Sequence, residues 1–161
     1  MPSPIATKTY GTVSADRQKE MSGLEFVQGL VDGTLPLNTI ARTLGYDMTE
    51  AENGRVVITT EPNETHLNPA GTVHGGLAAT MLDSCMGLAI QSTLEKGVGS
   101  TTLEFKISFM RPITPETGLI TAGGCAEYRS AGRQRRSAAY RCQRSFARPW
   151  HDHMPDLRKV I

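Results

Sequence analysis

A chain of 161 residues with 39% apolar content is one domain's worth, long enough to bury a core without disulfides or a bound metal. No apolar run approaches a membrane span, residues 1–15 hold no continuous apolar stretch of a secretory signal, and Cys85, Cys125 and Cys142 follow no paired spacing, which points to a reducing, cytoplasmic setting without a membrane partner. The net charge of +1 hides a reversal: residues 1–128 hold 8 Lys/Arg against 14 Asp/Glu, and residues 129–161 hold 9 against 2.

Taken in order, residues 1–20 are polar and irregular and read as a flexible N-terminal segment. Ser22 with Glu25 forms a capping box, after which Leu24, Phe26, Val27, Leu30 and Val31 recur at helical spacing; Gly33 ends the helix and Pro36 forbids its continuation. Ile40–Met48 and Arg55–Glu61 have strand character, with Asn53-Gly54 as the hairpin turn because both residues tolerate positive φ. Glu61–Thr72 reads as loop, His66 included. From Gly75 a long helix buries Leu77, Ala78, Met81, Leu82, Cys85, Leu88, Ala89 and Ile90 on one broad face and closes at Lys96-Gly97. Its small residues, Ala78, Ala79, Gly87 and Ala89, would let another backbone come close. Thr101–Met110 alternates Leu103, Phe105, Ile107 and Phe109 with polar residues and reads as a long strand, followed by a further strand over Gly118–Tyr128.

Chemistry concentrates between His66 and Asp83. Gly75 and Gly76 stand where loop becomes helix, so free backbone amides point outward there and the helix dipole favours negative charge. That suits the oxyanion formed when a thioester carbonyl is attacked. Asp83 lies about two turns further on, and a carboxylate between Leu82 and Cys85 is costly unless paired or used. The spacing Asn68, five residues, His74-Gly75-Gly76, six residues, Asp83 resembles the PaaI-like (phenylacetate-pathway type) branch of hotdog acyl-CoA thioesterases. The likeness extends through Phe105–Pro112 and covers roughly residues 37–127.

The resemblance implies an α+β hotdog fold over 21–128, a curled antiparallel sheet wrapped around a long central helix. It implies a homodimer or tetramer with active sites at the dimer interface, acyl-CoA as substrate, and no cofactor or metal. Asp83 would act as general base toward water or as nucleophile, with the Gly76 amide, helped by Gly75, holding the thioester oxygen. Asn68 would position the water or the carboxylate, His74 would fix the loop or polarise the thioester, and Thr102 (Thr101 if the register slips by one) would lend a hydroxyl. Arg111 and Lys106 are candidates for the coenzyme A phosphates. Met81, Leu88 and Phe109 would line an apolar acyl pocket. Each residue has a plainer reading: Asn68 as a turn former before Pro69, His74 as a loop brace, Thr102 as an ordinary strand threonine, Lys106 as solvated surface. His151-Asp152-His153 is the only sequence with the look of metal ligands.

Residues 129–161 fit the resemblance poorly and read as an atypical basic tail, with altered C-terminal strands. Arg129–Arg136, Tyr140–Arg144 and Trp150–Met154 lack alternation, and a central strand built from them would bury arginines. A change of reading frame between about Ala122 and Arg133 accounts for this. Read one nucleotide later, Pro149–Leu157 permits Pro-Gly-Thr-Thr-Thr-Cys-Leu-Ile-Phe, a well-formed strand. The competing reading is a native basic tail that grips coenzyme A phosphates or RNA. Nucleic acid is not an expected partner, because Tyr140, Phe146 and Trp150 make a poor stacking platform.

Overall fold

The computed structural model describes residues 8–126 in full and the backbone of 140–146. In chain order the elements are α1 (Ala15–Lys19), α2 (Gly23–Asp32), α3 (Thr39–Leu44), β1 (Asp47–Glu52), β2 (Arg55–Thr60), α4 (Gly75–Gln91), β3 (Ile120–Ala126) and β4 (Tyr140–Phe146).

Local signals place most of these. Ser22 and Glu25 form the reciprocal capping box of α2, and Gly33 ends that helix at φ 82°. β1 and β2 pair antiparallel across Asn53-Gly54, with Gly54 at φ 77°. Ile40–Leu44, expected as strand, is instead α3. The Asn38 side chain caps it by accepting from the Ala41 amide, and Gly45 closes it in the left-handed region, so two caps override β-branched propensity. Residues 15–19, expected as irregular, form the short α1, capped by Ser14. Helix α4 stops at Gln91, short of Lys96-Gly97. Buried Ser92 ends it, accepting from the Gly54 amide at 2.8 Å and donating to the Ala89 carbonyl at 2.8 Å, which ties the hairpin tip to the helix end.

The expected curled sheet wrapped around the helix is not what forms. β1, β2 and β3 make a short antiparallel sheet, extended by β4 in the order β1-β2-β3-β4; the sheet is open, and α4 packs mainly on β2 and β3. Two expectations fail together here. Thr101–Met110 is not a strand, so the element that would have carried the sheet round α4 is missing. Tyr140–Phe146, argued against as a strand, pairs with β3 over its whole length from Ile120↔Phe146 to Ala126↔Tyr140. A ladder is made by backbone N–H and C=O groups, so a poor side-chain pattern does not forbid it. The reading-frame argument on 147–157 and the His151-Asp152-His153 sequence lie outside the described residues.

A single apolar cluster joins Val27 and Leu30 of α2, Met48, Val56 and Ile58 of the sheet, and Leu77, Met81, Cys85 and Ala89 of α4. α4 also lies close against β3: a Cβ on Gly124 would lie 2.2 Å from the Cys85 carbonyl oxygen. The glycine that lets these backbones meet is thus in the sheet, rather than among the small residues of the helix. Among the described residues no helix is long and apolar enough to cross a membrane.

Candidate active site

The loop before α4 is a miniature hairpin. Leu67 and Val73 form an antiparallel bridge, and the Asn68 amide donates to the Thr72 carbonyl at 2.8 Å. The Asn68 side chain is used twice inside this tip, Oδ1 accepting from the Ala70 amide (2.9 Å) and Nδ2 donating to Thr72 Oγ1 (2.8 Å). One step outward, the His66 carbonyl accepts from the His74 amide at 2.7 Å, and the Ile113 carbonyl accepts from the Val73 amide at 2.8 Å. His66, read from sequence as plain loop, is buried. It sits in a 3₁₀ turn (Glu64–His66), and its Nδ1 accepts from the Asn63 amide at 3.0 Å. The tautomer carrying hydrogen on Nε2 follows from that bond.

His74 is the N-cap of α4, its Nδ1 accepting from the Gly76 amide at 2.9 Å. A histidine here does the work usually given to Ser, Thr, Asp or Asn. The consequence is chemical: Gly76, expected as the main oxyanion donor, has its N–H engaged, while the Gly75 N–H has no partner among the described residues. The Phe109 ring stands directly against Gly75, where a Cβ would meet its Cζ at 2.9 Å.

Further along α4, Gly75, Ala79, Asp83 and Gly87 fall four residues apart and so share one face. Asp83 Oδ1 is buried on that face with no hydrogen-bond partner among the described residues. Thr102 Oγ1 lies 3.8 Å from where a Cβ on Gly87 would be, one turn beyond Asp83. The chain from Thr102 to Phe109 therefore runs alongside α4, covering about 18 Å of helix in seven residue steps, roughly 2.6 Å per residue and short of a fully extended strand. Lys106 and Arg111 are both exposed on or next to this stretch. Of the residues expected to line an acyl pocket, Met81 is sealed in the core, Leu88 is half-buried and Phe109 is exposed beside Gly75. A groove of about 180 Å³ among Gln18, Met21, Phe26, Gln91 and Val98 belongs to the opposite end of α4.

A family model described as the thioesterase superfamily matches residues 70–143. A phenylacetic acid degradation-related protein of Ralstonia eutropha JMP134 superposes with TM-score 0.58 at 25% identity, over 73% of this chain and 98% of that one. A mutant of the phenylacetic acid degradation protein PaaI of Thermus thermophilus does so with TM-score 0.53 at 25% identity, over 65% and 83%. Over residues 70–143 the chain is similar to the thioesterase superfamily, and its fold is similar to these two phenylacetic acid degradation proteins. Human acyl-coenzyme A thioesterase 13 is 35% identical over 72 residues, 44% of this chain and 51% of that protein. The chain spans about half the length of the curated relatives it matches.

The superfamily match takes in His74, Gly75, Gly76, Asp83, Thr102, Lys106 and Arg111 and begins after Asn68. The sequence places His74 and the two glycines at the loop-to-helix boundary, where the structure has them. It does not reveal that His74 would spend the Gly76 amide, because that depends on a side-chain rotamer. His66 carried a weak signal: Asn63 three residues earlier is itself a capping residue, accepting from the Thr65 amide at 2.9 Å.

Proposed function

We propose that the chain hydrolyses acyl-CoA thioesters to the free acid and coenzyme A. The observation that carries this reading is the buried Oδ1 of Asp83 on the same helix face as the Gly75 amide, neither with a partner among the described residues. A buried carboxylate oxygen without a partner is costly, and a bound water or substrate would relieve that cost. Asp83 would take a proton from water as its oxygen attacks the thioester carbon. The Gly75 amide would hold the oxygen that becomes negative, with Gly76 joining if the His74 ring turns away. Collapse of the intermediate breaks the C–S bond, and Asp83 returns the proton to the departing thiolate. Asn68 and Thr72 would keep the loop in shape, Thr102 would lend a hydroxyl near Asp83, and Lys106 and Arg111 would meet the phosphates.

One distance argues for assembly. Gly75 and Asp83 are eight residues apart, about 12 Å along one helix axis. Both groups must come within about 3 Å of the reacting atoms. A single chain cannot do that with both groups, whereas a second copy could place its Asp83 opposite the first copy's Gly75. We therefore propose a homodimer, alone or within a tetramer, with composite active sites.

A second reading, a hotdog-like module that binds acyl or CoA ligands without turnover, draws support from the engaged Gly76 amide and from the Asn68 side chain bonded within its own loop. Thiol release from phenylacetyl-, benzoyl- and hexanoyl-CoA, measured beside Asp83→Asn, tests both. The expected outcome is turnover that falls by about 10²–10⁴-fold in the variant, with ligand binding retained. Turnover absent from both proteins in folded, dimeric samples, with acyl-CoA still bound, would establish the binding module instead.

A further inference from the structure

The bond between His74 and Gly76 exists in only one charge state of the ring. Nδ1 accepts from the Gly76 amide at 2.9 Å, so that nitrogen carries a lone pair and the ring hydrogen sits on Nε2. The ring also covers the glycine: a Cβ on Gly76 would meet Nδ1 at 2.9 Å and Cε1 at 3.3 Å. A doubly protonated imidazole has N–H at both nitrogens and cannot accept. Its charge would also stand at the positive end of α4, whose first turn has no acidic residue to offset it. Acid therefore breaks the bond and drives the ring off the amide. His74 is exposed, so the proton reaches it from solvent without opening the fold.

The charged and titratable groups on the elements around this cap are Glu64 and His66 of the 3₁₀ turn, Glu104 and Lys106 of 101–110, Arg111 and Glu116 on either side of Ile113, and Asp83 further along α4. Among the described residues none of them forms an ion pair with His74. His66 also accepts a backbone amide on Nδ1, but it is buried and its partner is Asn63.

We propose that His74 is a proton-operated latch on a second oxyanion donor. With the ring neutral, only the Gly75 amide is open; with the ring protonated, the Gly75 and Gly76 amides are open side by side. The purpose of the latch rests on the thioesterase reading, whereas the latch itself belongs to the cap and is read without turnover. Two donors hold a developing negative charge better than one, so opening the latch raises turnover.

The test follows the full chain by NMR between about pH 8.5 and pH 5, reading the rings of His74 and His66 and the Gly76 amide. The Gly76 resonance should move with the midpoint of the His74 ring. Its solvent exchange, corrected for the intrinsic effect of pH, should be about tenfold faster one pH unit below that midpoint than one unit above. In His74→Asn, which caps the helix but does not titrate, this response should vanish. Turnover of phenylacetyl-CoA by the parent relative to His74→Asn should rise about tenfold over the same interval. A His74 ring that does not titrate, a Gly76 amide that ignores it or follows His66, the same response in His74→Asn, or turnover with a flat ratio would each overturn the proposal. Linked titration of His74 and Gly76 in a chain without turnover would keep the latch and remove the thioesterase reading.

Discussion

Strand β2 and the segment 101–110 carry similar apolar content and meet opposite fates. In β2, Val56, Val57, Ile58 and Thr60 are buried, with β1 on one side, β3 on the other and α4 above. In 101–110 the alternation is cleaner, yet Leu103 is almost wholly bare and Ile107 is only half-buried. Alternation states which face a strand would bury; it does not supply the neighbours that make a strand. β2 gains them from a two-residue turn and from β3. The segment 101–110 is pinned against α4 but has no described neighbour in the plane of the sheet.

The contrast is broken most severely at the point that holds the β2–β3 half together. A methyl on Gly124 would stand 2.2 Å from the Cys85 carbonyl oxygen and 2.4 Å from its carbon, both main-chain atoms that cannot swing aside. Gly124→Ala should therefore cost more than the roughly 1–3 kcal/mol of ordinary overpacking and lift α4 off the sheet. Expression of soluble protein and the far-UV signal on heating would show it. A variant as stable as the parent would mean that the helix and sheet have room to part.

A paired truncation sharpens the comparison. Ile58→Ala removes a fully buried side chain and should lower unfolding free energy by about 2–5 kcal/mol. Leu103→Ala removes one that is 95% exposed and should change it by less than about 0.5 kcal/mol. Urea unfolding of the two variants measures both. Equal losses would show that 101–110 is buried in solution, by a second copy or otherwise, and that the two regions do not differ.

What the sequence made legible follows the same division. Features decided within four or five residues could be read: the Ser22–Glu25 box, the Asn53-Gly54 turn, and the loop-to-helix boundary at His74-Gly75. Features decided by distant partners could not. Ile40–Leu44 looked like strand until the caps at Asn38 and Gly45 were weighed against it, and 101–110 looked like strand because nothing local says who pairs with it. β4 erred in the other direction. Its arginines argued against a strand, but the backbone of β3 had an open edge and the ladder formed there. For the candidate site, residue positions were readable and hydrogen-bond allegiances were not. That His74 takes the Gly76 amide, that Asn68 serves its own loop, and that Asp83 is left unpartnered all depend on side-chain placement in three dimensions.

The smallest expected effect concerns the other locally decided element, the start of α2, and it isolates charge from shape. Glu25 Oε2 accepts from the Ser22 amide at 2.7 Å and from the Ser22 hydroxyl at 2.8 Å, and these bonds, with Lys96 nearby, hold its carboxyl below the ordinary 4.5. A carboxyl whose folded value is depressed binds fewer protons in the folded state than in the unfolded one. Its stabilisation is therefore present above the unfolded value and is lost as pH falls through the folded one. Thr114 acts on Glu116 in the same direction. Glu25→Gln keeps an oxygen for the capping box but removes the titration, so the melting temperature should fall less steeply between about pH 5 and pH 3 than in the parent. The remaining slope should shrink again in Glu25→Gln/Glu116→Gln. If the parent and both variants lose stability in parallel over that range, the box contributes shape alone, and acid sensitivity arises from carboxylates elsewhere.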